Sequence, residues 1–166
     1  MSTFVTAHTY AHTVNHVATS MLLSLRELIR RVGLDPGKLV QQWGTLESGI
    51  SVWLTSQHLL QVTLEIFAAK TGELMSRWDI SPNYAYGGNG SFWADIAALQ
   101  YAIPKAGPLP PGCDYKILVK TAPGAPNVAG WTTGSFLSTS GLAKYGVGAT
   151  IGADGISGET SYWRKR

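Results

Sequence analysis

Between His12 and Val32 the apolar residues recur every third or fourth position, at Val14, Val17, Met21, Leu25, Leu28 and Val32. That spacing gathers them on one face and predicts a long amphipathic helix. Arg26, Arg30 and Arg31 fall in its last turns, where cations complement the helix dipole, and Gly33 supplies the stop. Asp35-Pro36 reads as an N-cap followed by a first-turn proline. It opens a second helix with Leu39, Trp43, Leu46, Ile50, Trp53 and Leu54 at helical spacing. Gly44 and Gly49 weaken that helix by about 1 kcal/mol each relative to alanine, so packing has to hold it.

The period then changes. Leu60, Val62, Leu64 and Ile66 alternate with Gln61, Thr63 and Glu65, the pattern of a half-buried strand. Lys70 to Glu73 makes a turn, and Leu74, Ser76, Trp78 and Ile80 share one side of a return strand, so the pair is a hairpin. Ser81 to Gly90 reads as a loop. Ser91 caps a third helix, Phe92 to Ala106, with a stripe of Phe92, Ile96, Leu99 and Ile103. Pro108, Pro110, Pro111 and Gly112 end that helix. Tyr115, Ile117 and Val119 alternate with Lys116, Leu118 and Lys120 in a third strand. The class is α+β, with three helices packed on one face of a small, mainly antiparallel sheet. A three-stranded sheet has two edges, which are either covered or recruit another chain.

From Ala122 onward the helical stripe disappears. Short strand-like pieces, Trp131-Thr132-Thr133 and Ser135-Phe136-Leu137, alternate with glycines, and the chain ends in Tyr162-Trp163-Arg164-Lys165-Arg166. A disordered tail would lack aromatic and β-branched residues, and this one has both. It reads as a segment that folds onto the body, covers the third strand, and clamps an added peptide there by strand addition.

Composition narrows the field. The chain has 166 residues, enough for one domain with a real core, and 45% of them are apolar. One cysteine, Cys113, excludes an internal disulfide and an all-cysteine zinc site and fits a reducing, cytoplasmic compartment. The polar N-terminus is unlike a signal peptide, and charge interrupts every apolar run, so no membrane span is expected. Only 14% of residues are charged and the net charge is +3, which suits a protein partner better than a phosphate backbone.

Seven segments bear on identity: Tyr10-Ala11-His12-Thr13-Val14, Gly33-Leu34-Asp35-Pro36, Arg77-Trp78-Asp79-Ile80, Gly90-Ser91-Phe92-Trp93, Tyr101-Ala102-Ile103, Pro123-Gly124-x-Pro126-x-Val128-x-Gly130-Trp131 and Ser161-Tyr162-Trp163-Arg164. In order and spacing, over nearly the whole chain, this set resembles the bacterial HORMA domain family. The resemblance implies a HORMA-like fold over residues 1–166, with a flexible leader (1–11), a core (12–121) and a C-terminal safety belt (122–166). It also implies a non-enzymatic regulatory switch of anti-phage (CBASS) operons. The belt closes around a closure-motif peptide that adds beside the strand Asp114 to Thr121. The closed form then binds and activates a cyclic-oligonucleotide synthase of the CD-NTase class, and a Pch-type AAA+ ATPase reopens it by pulling on the leader. Carried onto this sequence, peptide pairing falls to Lys116, Ile117, Leu118, Val119 and Lys120. Belt anchoring falls to Trp131, Phe136, Tyr162 and Trp163, and the remodeller handle is Ser2, Thr3, Phe4, Val5 and Thr6. Nothing in it requires a cofactor or a metal, and any association with nucleic acid would be indirect, through the synthase.

Other chemistries compete less well. His8, His12 and His16 stand at metal-binding spacing, but no nearby Cys, Asp or Glu completes a site, so a polar helix face is the plainer reading. Gly87-Gly88-Asn89-Gly90-Ser91 lacks the Gly-Lys-Ser/Thr of a phosphate loop. Cys113 and the serines sit in no nucleophile motif, and Asp79 and Asp95 are the only carboxylates near the central loop. The alternative class is a small basic nucleic-acid-binding domain, using the tail aromatics for stacking and Arg164 to Arg166 for phosphates.

Overall fold

The computed structural model describes residues 10–166. Helix α1 (Tyr10–Arg31) starts two residues earlier than the spacing predicted, taking Tyr10 and Ala11 out of the leader. The Tyr10 hydroxyl donates to the carbonyl of Leu54 at 2.9 Å, which fixes that first turn. The rest of the leader, with His8 and the Ser2 to Thr6 handle, lies outside the described residues. Gly33 at φ +89° ends α1 as expected, and the Leu34 amide reaches back to Ile29 at 3.0 Å.

The expected second helix is two: α2 (Gly37–Gln41) and α3 (Trp43–Thr55), broken at Gln42. Pro36, expected inside the first turn, is the N-cap of α2, one residue later than predicted, and Asp35 Oδ1 accepts from the Gly37 amide at 2.9 Å just ahead of the helix. β1 (Leu59–Ala68) and β2 (Leu74–Tyr86) form the hairpin, with Gly72 at φ +74° in its turn. A register irregularity between Leu59 and Gln61 puts Leu59 in the core and leaves Leu60 exposed, against the predicted alternation.

Two further differences matter for the site. Residues predicted as a loop from Ser81 continue β2 to Tyr86, because β6 pairs alongside them, from Ser81↔Glu159 to Tyr86↔Gly155. The Ser91-capped helix does not form. Trp93–Ala94 is a short strand, β3, and Asp95 caps α4 (Ile96–Ala102) by accepting from the Ala98 amide at 3.0 Å. A 3-10 turn (Ile103–Ala106) follows. Trp93 sits against Gly152, where a Cβ would collide with the indole, and this packing commits 93–94 to the sheet.

β4 (Cys113–Thr121) agrees with the predicted third strand. The tail does not. Trp131 to Leu137 are not strands, and residues 122–141 form a long connection before β5 (Leu142–Gly152) and β6 (Gly155–Lys165). Among the described residues the sheet therefore has six strands, not three, in the order β3-β5-β6-β2-β1-β4. α1 and α3 pack on one face, where Val17, Met21, Leu25, Ile50, Leu64 and Trp78 have no exposed surface. No helix among the described residues is long and apolar enough to cross a membrane.

Candidate functional site

β4 is the end strand, so among the described residues its outer row of backbone N–H and C=O groups has no strand beside it. Such a row is a template for another chain. The predicted cover is on the other side: the β5–β6 hairpin pairs through β6 with β2, and β4 stays open. Cross-strand register fixes which side chains go where. Ile117 and Val119 pair with Leu64 and Val62 and share the helix-covered face; Lys116, Leu118 and Lys120 pair with Glu65, Thr63 and Gln61 on the far face. Ile117, Leu118 and Val119 are all only half-buried.

The connection 122–141 touches both faces of the sheet beside this open strand. It leaves β4 on the helix side, where Trp53 Nε1 donates to the carbonyl of Pro126 at 2.8 Å. Trp131 then stands edge-on against Trp53, centroids 4.9 Å apart, and donates from Nε1 to the Thr45 carbonyl at 3.0 Å. The next residues pass alongside the middle of β4, with Gly134 close to the Leu118 side chain on the far face. There the Leu137 amide donates to Glu65 Oε2 at 2.7 Å, and Phe136 lies under the Arg77 guanidinium at 4.9 Å. The chain has passed from one face of the sheet to the other around the rim of β4. Connections longer than about 15 residues without regular structure are uncommon and usually functional.

Thr63 and Glu65, which alternation assigned to the solvent side, have no exposed surface, because this connection lies over them. Glu65 Oε1 has no hydrogen-bond partner among the described residues; Lys116 Nζ at 3.5 Å balances its charge without bonding it closely. Beside it lies a polar cluster that sequence reasoning missed. Asp79 Oδ1 accepts from Thr63 at 2.8 Å, Gln61 at 3.1 Å and Arg77 Nε at 2.9 Å, and Oδ2 accepts from Trp163 Nε1 at 3.0 Å. Arg77 also lies over the Trp163 ring at 5.5 Å, so one guanidinium joins β6 and the connection to β2. Tyr162 points the other way, between Trp78 and Tyr145. All four aromatics singled out in the tail thus contact other elements, on two faces of the sheet.

Gly49, which looked like a weak point in a helix, is where Trp131 docks: a Cβ there would fall inside the indole. Gly44, in the same helix, has nothing within 4 Å. Gly44→Ala is expected to raise stability by roughly 0.5–1 kcal/mol. Gly49→Ala offers the same helical gain and is expected to lose it, with about 1–3 kcal/mol more, by displacing Trp131. Thermal melts of the two variants check this.

Several sequence candidates become structural. Lys38 Nζ bonds Asp114 Oδ1 at 2.6 Å and the Tyr115 carbonyl at 2.8 Å, tying α2 to the start of β4, and that ammonium holds the Asp114 carboxyl below its usual range. Burial pushes the Cys113 thiol up, which leaves less of the nucleophilic thiolate. In the glycine loop, the Gly90 amide is taken by Asp154 Oδ1 at 2.9 Å, a carboxylate where an anion would have to sit. His16 Nε2 contacts the Trp93 carbonyl at 3.1 Å, and among the described residues no group of three His, Cys, Asp or Glu is placed to hold a metal. Asp95 serves as the α4 cap. The terminal cations are engaged separately: Arg164 with the Lys105 carbonyl, Lys165 with Glu73, and Arg166 with the Leu142 carbonyl.

The model of the family described as bacterial HORMA domain 2 matches residues 1–166. No curated protein matches the sequence. Among solved structures, a chain of the mitotic checkpoint complex is 10% identical, with a TM-score of 0.76 over 93% of this chain and 99% of that one. C. elegans HTP-2 bound to the HIM-3 closure motif is 12% identical, with a TM-score of 0.71 over 93% of this chain and 90% of that one. A chain of the E. coli MS115-1 CdnC:HORMA-deltaN complex is 14% identical, with a TM-score of 0.60 over 92% of this chain and 87% of that one. At such identities these likenesses speak for the fold.

Proposed function

The chain belongs to the bacterial HORMA domain family, and from that premise we propose that it is a non-enzymatic peptide-binding switch that activates a cyclic-oligonucleotide synthase in anti-phage defence. An extended closure-motif peptide adds beside β4, pairing with the backbone from Lys116 to Lys120, and residues 122–166 act as the safety belt. Trp131 and Phe136 hold the belt on the two faces of the sheet, while Tyr162 and Trp163 hold its terminal hairpin on β2. The closed form binds a CD-NTase, and a Pch-type AAA+ ATPase reopens it through the leader. The setting is the cytoplasm.

One observation supports this reading: β4 has no strand on its outer side among the described residues, and the connection 122–141 that follows it is fastened on both faces of the sheet. Backbone pairing to such a rim gives affinity, and pockets for alternate side chains give specificity. Two of the solved neighbours bear on the partners: HTP-2 was captured with a closure motif and the E. coli protein in a complex with CdnC. The rival nucleic-acid reading loses its footing because Arg164, Lys165 and Arg166 each bond a different element and present no joint phosphate site.

The test is capture of a peptide from a random library, followed by synthase turnover with and without the best binder. Stimulation only in its presence is the expected result; capture without any effect on the synthase would remove the activation step. Deleting residues 1–9 is expected to leave peptide affinity within about twofold, because helix α1 and its Tyr10 contact remain. The same deletion should abolish ATP-driven release, and unchanged release would refute the handle at Ser2 to Thr6.

A further inference from the structure

The walls around the rim of β4 specify which peptide fits. This inference rests on the strand-capture reading and adds to it the chemistry of the ligand. Two cavities open on the helix-side flank of β4. One, of about 350 Å3, lies against Val119 and Thr121 and is closed by Trp53, Val128 and Trp131. The other, of about 270 Å3, lies against Ile117 and is closed by Thr45, Leu46, Gly130 and Trp131. No residue of β1 lines either cavity, so both sit outside the existing sheet. A water's share of liquid volume is about 30 Å3, so each space holds a large side chain.

Ile117 and Val119 are two residues apart on one strand, and side chains two apart on an added strand share a face. The peptide residues opposite Ile117 and Val119 therefore point into the two cavities, with the Trp131 indole as the partition between them. Their walls are apolar side chains, hydroxyls and amides, without a charged group. An ion placed there would lose its hydration with nothing to replace it.

The far face sets the remaining positions. Gly134 comes close to the Leu118 side chain on this face, so a residue opposite Leu118 has to fit beside it and is expected to be small. The residues opposite Lys116 and Lys120 meet cations on exposed stems. Lys116 shares the buried Glu65 at 3.5 Å, whereas no carboxylate among the described residues pairs with Lys120.

We propose that β4 reads a five-residue window of an extended peptide: large uncharged side chains at the second and fourth positions, a small residue between them, and carboxylates at the two ends. The pattern is symmetric about the centre, so it holds whether the added strand runs parallel or antiparallel to β4.

The test is a positional-scanning peptide array against the full chain, with binding measured by fluorescence anisotropy. The expected outcome is selection of large uncharged residues at two positions two apart and of Asp or Glu just outside them. Lys or Asp at either inner position should weaken binding by about tenfold or more. Lys120→Glu should shift the preference at one outer position from acidic to basic and leave the inner pair unchanged. Binders without this spacing, or a Lys120→Glu profile identical to the parent's, would overturn the proposal while leaving strand capture standing. An array with no binders at all would instead sink the strand-capture reading itself.

Discussion

Trp131→Ala is expected to reduce affinity for a captured peptide by about 100-fold, equivalent to about 2.7 kcal/mol. The indole performs three tasks at once. Its N–H bonds the Thr45 carbonyl, its ring packs edge-to-face with Trp53, and it lines both cavities beside Ile117 and Val119. Truncation should open both cavities to solvent and free the connection 122–141 from α3. Tryptophans at the centre of a binding surface often account for losses of more than 2 kcal/mol. The fold should survive, because Trp131 is only partly buried and lies at the margin of the core. Isothermal titration with a library-derived peptide, beside a thermal melt, separates the two effects. Full affinity in a folded Trp131→Ala protein would remove the residue from the site.

Asp79→Ala should act in the opposite way, on stability first. The carboxylate is almost fully buried and accepts from Thr63, Gln61, Arg77 and Trp163. Removing it leaves the Arg77 guanidinium, itself largely covered, without its counter-charge and strips the Trp163 N–H of a partner. Breaking a buried pair on one side costs about 3–5 kcal/mol. For a domain of this size that corresponds to a fall in Tm of roughly 10 °C. Asp79→Asn should lose less, since one oxygen still accepts, although its amide N–H then opposes the Trp163 N–H. Denaturation of both variants, with peptide affinity measured on whatever folds, checks the order. A melting point unchanged in Asp79→Ala would mean that Arg77 finds water or Glu65 instead.

Local pattern made the outline of this protein readable. α1 follows from its apolar spacing, the β1–β2 hairpin from alternation and a glycine turn, and β4 from a third alternating stretch. What stayed hidden was set by partners distant in the chain. β5 and β6 contain Gly146, Gly148, Gly152, Gly155 and Gly158, and their register shifts interrupt any alternation. They are strands because β2 offers an edge and Trp78 a surface for Tyr162. Tail segments rich in β-branched residues stayed irregular because Trp131 and Phe136 are drawn to opposite faces of the sheet. Burial of Thr63 and Glu65 could not be read either, since it depends on the connection that returns over them. For the candidate site, the strand Lys116 to Lys120 was visible as a strand, whereas Gly49 stood out only as a weak helix position and Asp79 only as a carboxylate, because Trp131 and Trp163 reach them from far along the chain.

The route of residues 122–141 has a mechanical consequence. Both ends of that stretch run into the same hydrogen-bonded sheet, so together they make an unbroken hoop. A partner strand lying through it resembles an axle through a wheel: it has no sideways exit, and folded domains at its two ends would act as stoppers. Its lifetime would then be governed by how often β6 peels from β2, and a cyclic ligand of equal chemistry, having no end to thread, would enter only through that same opening.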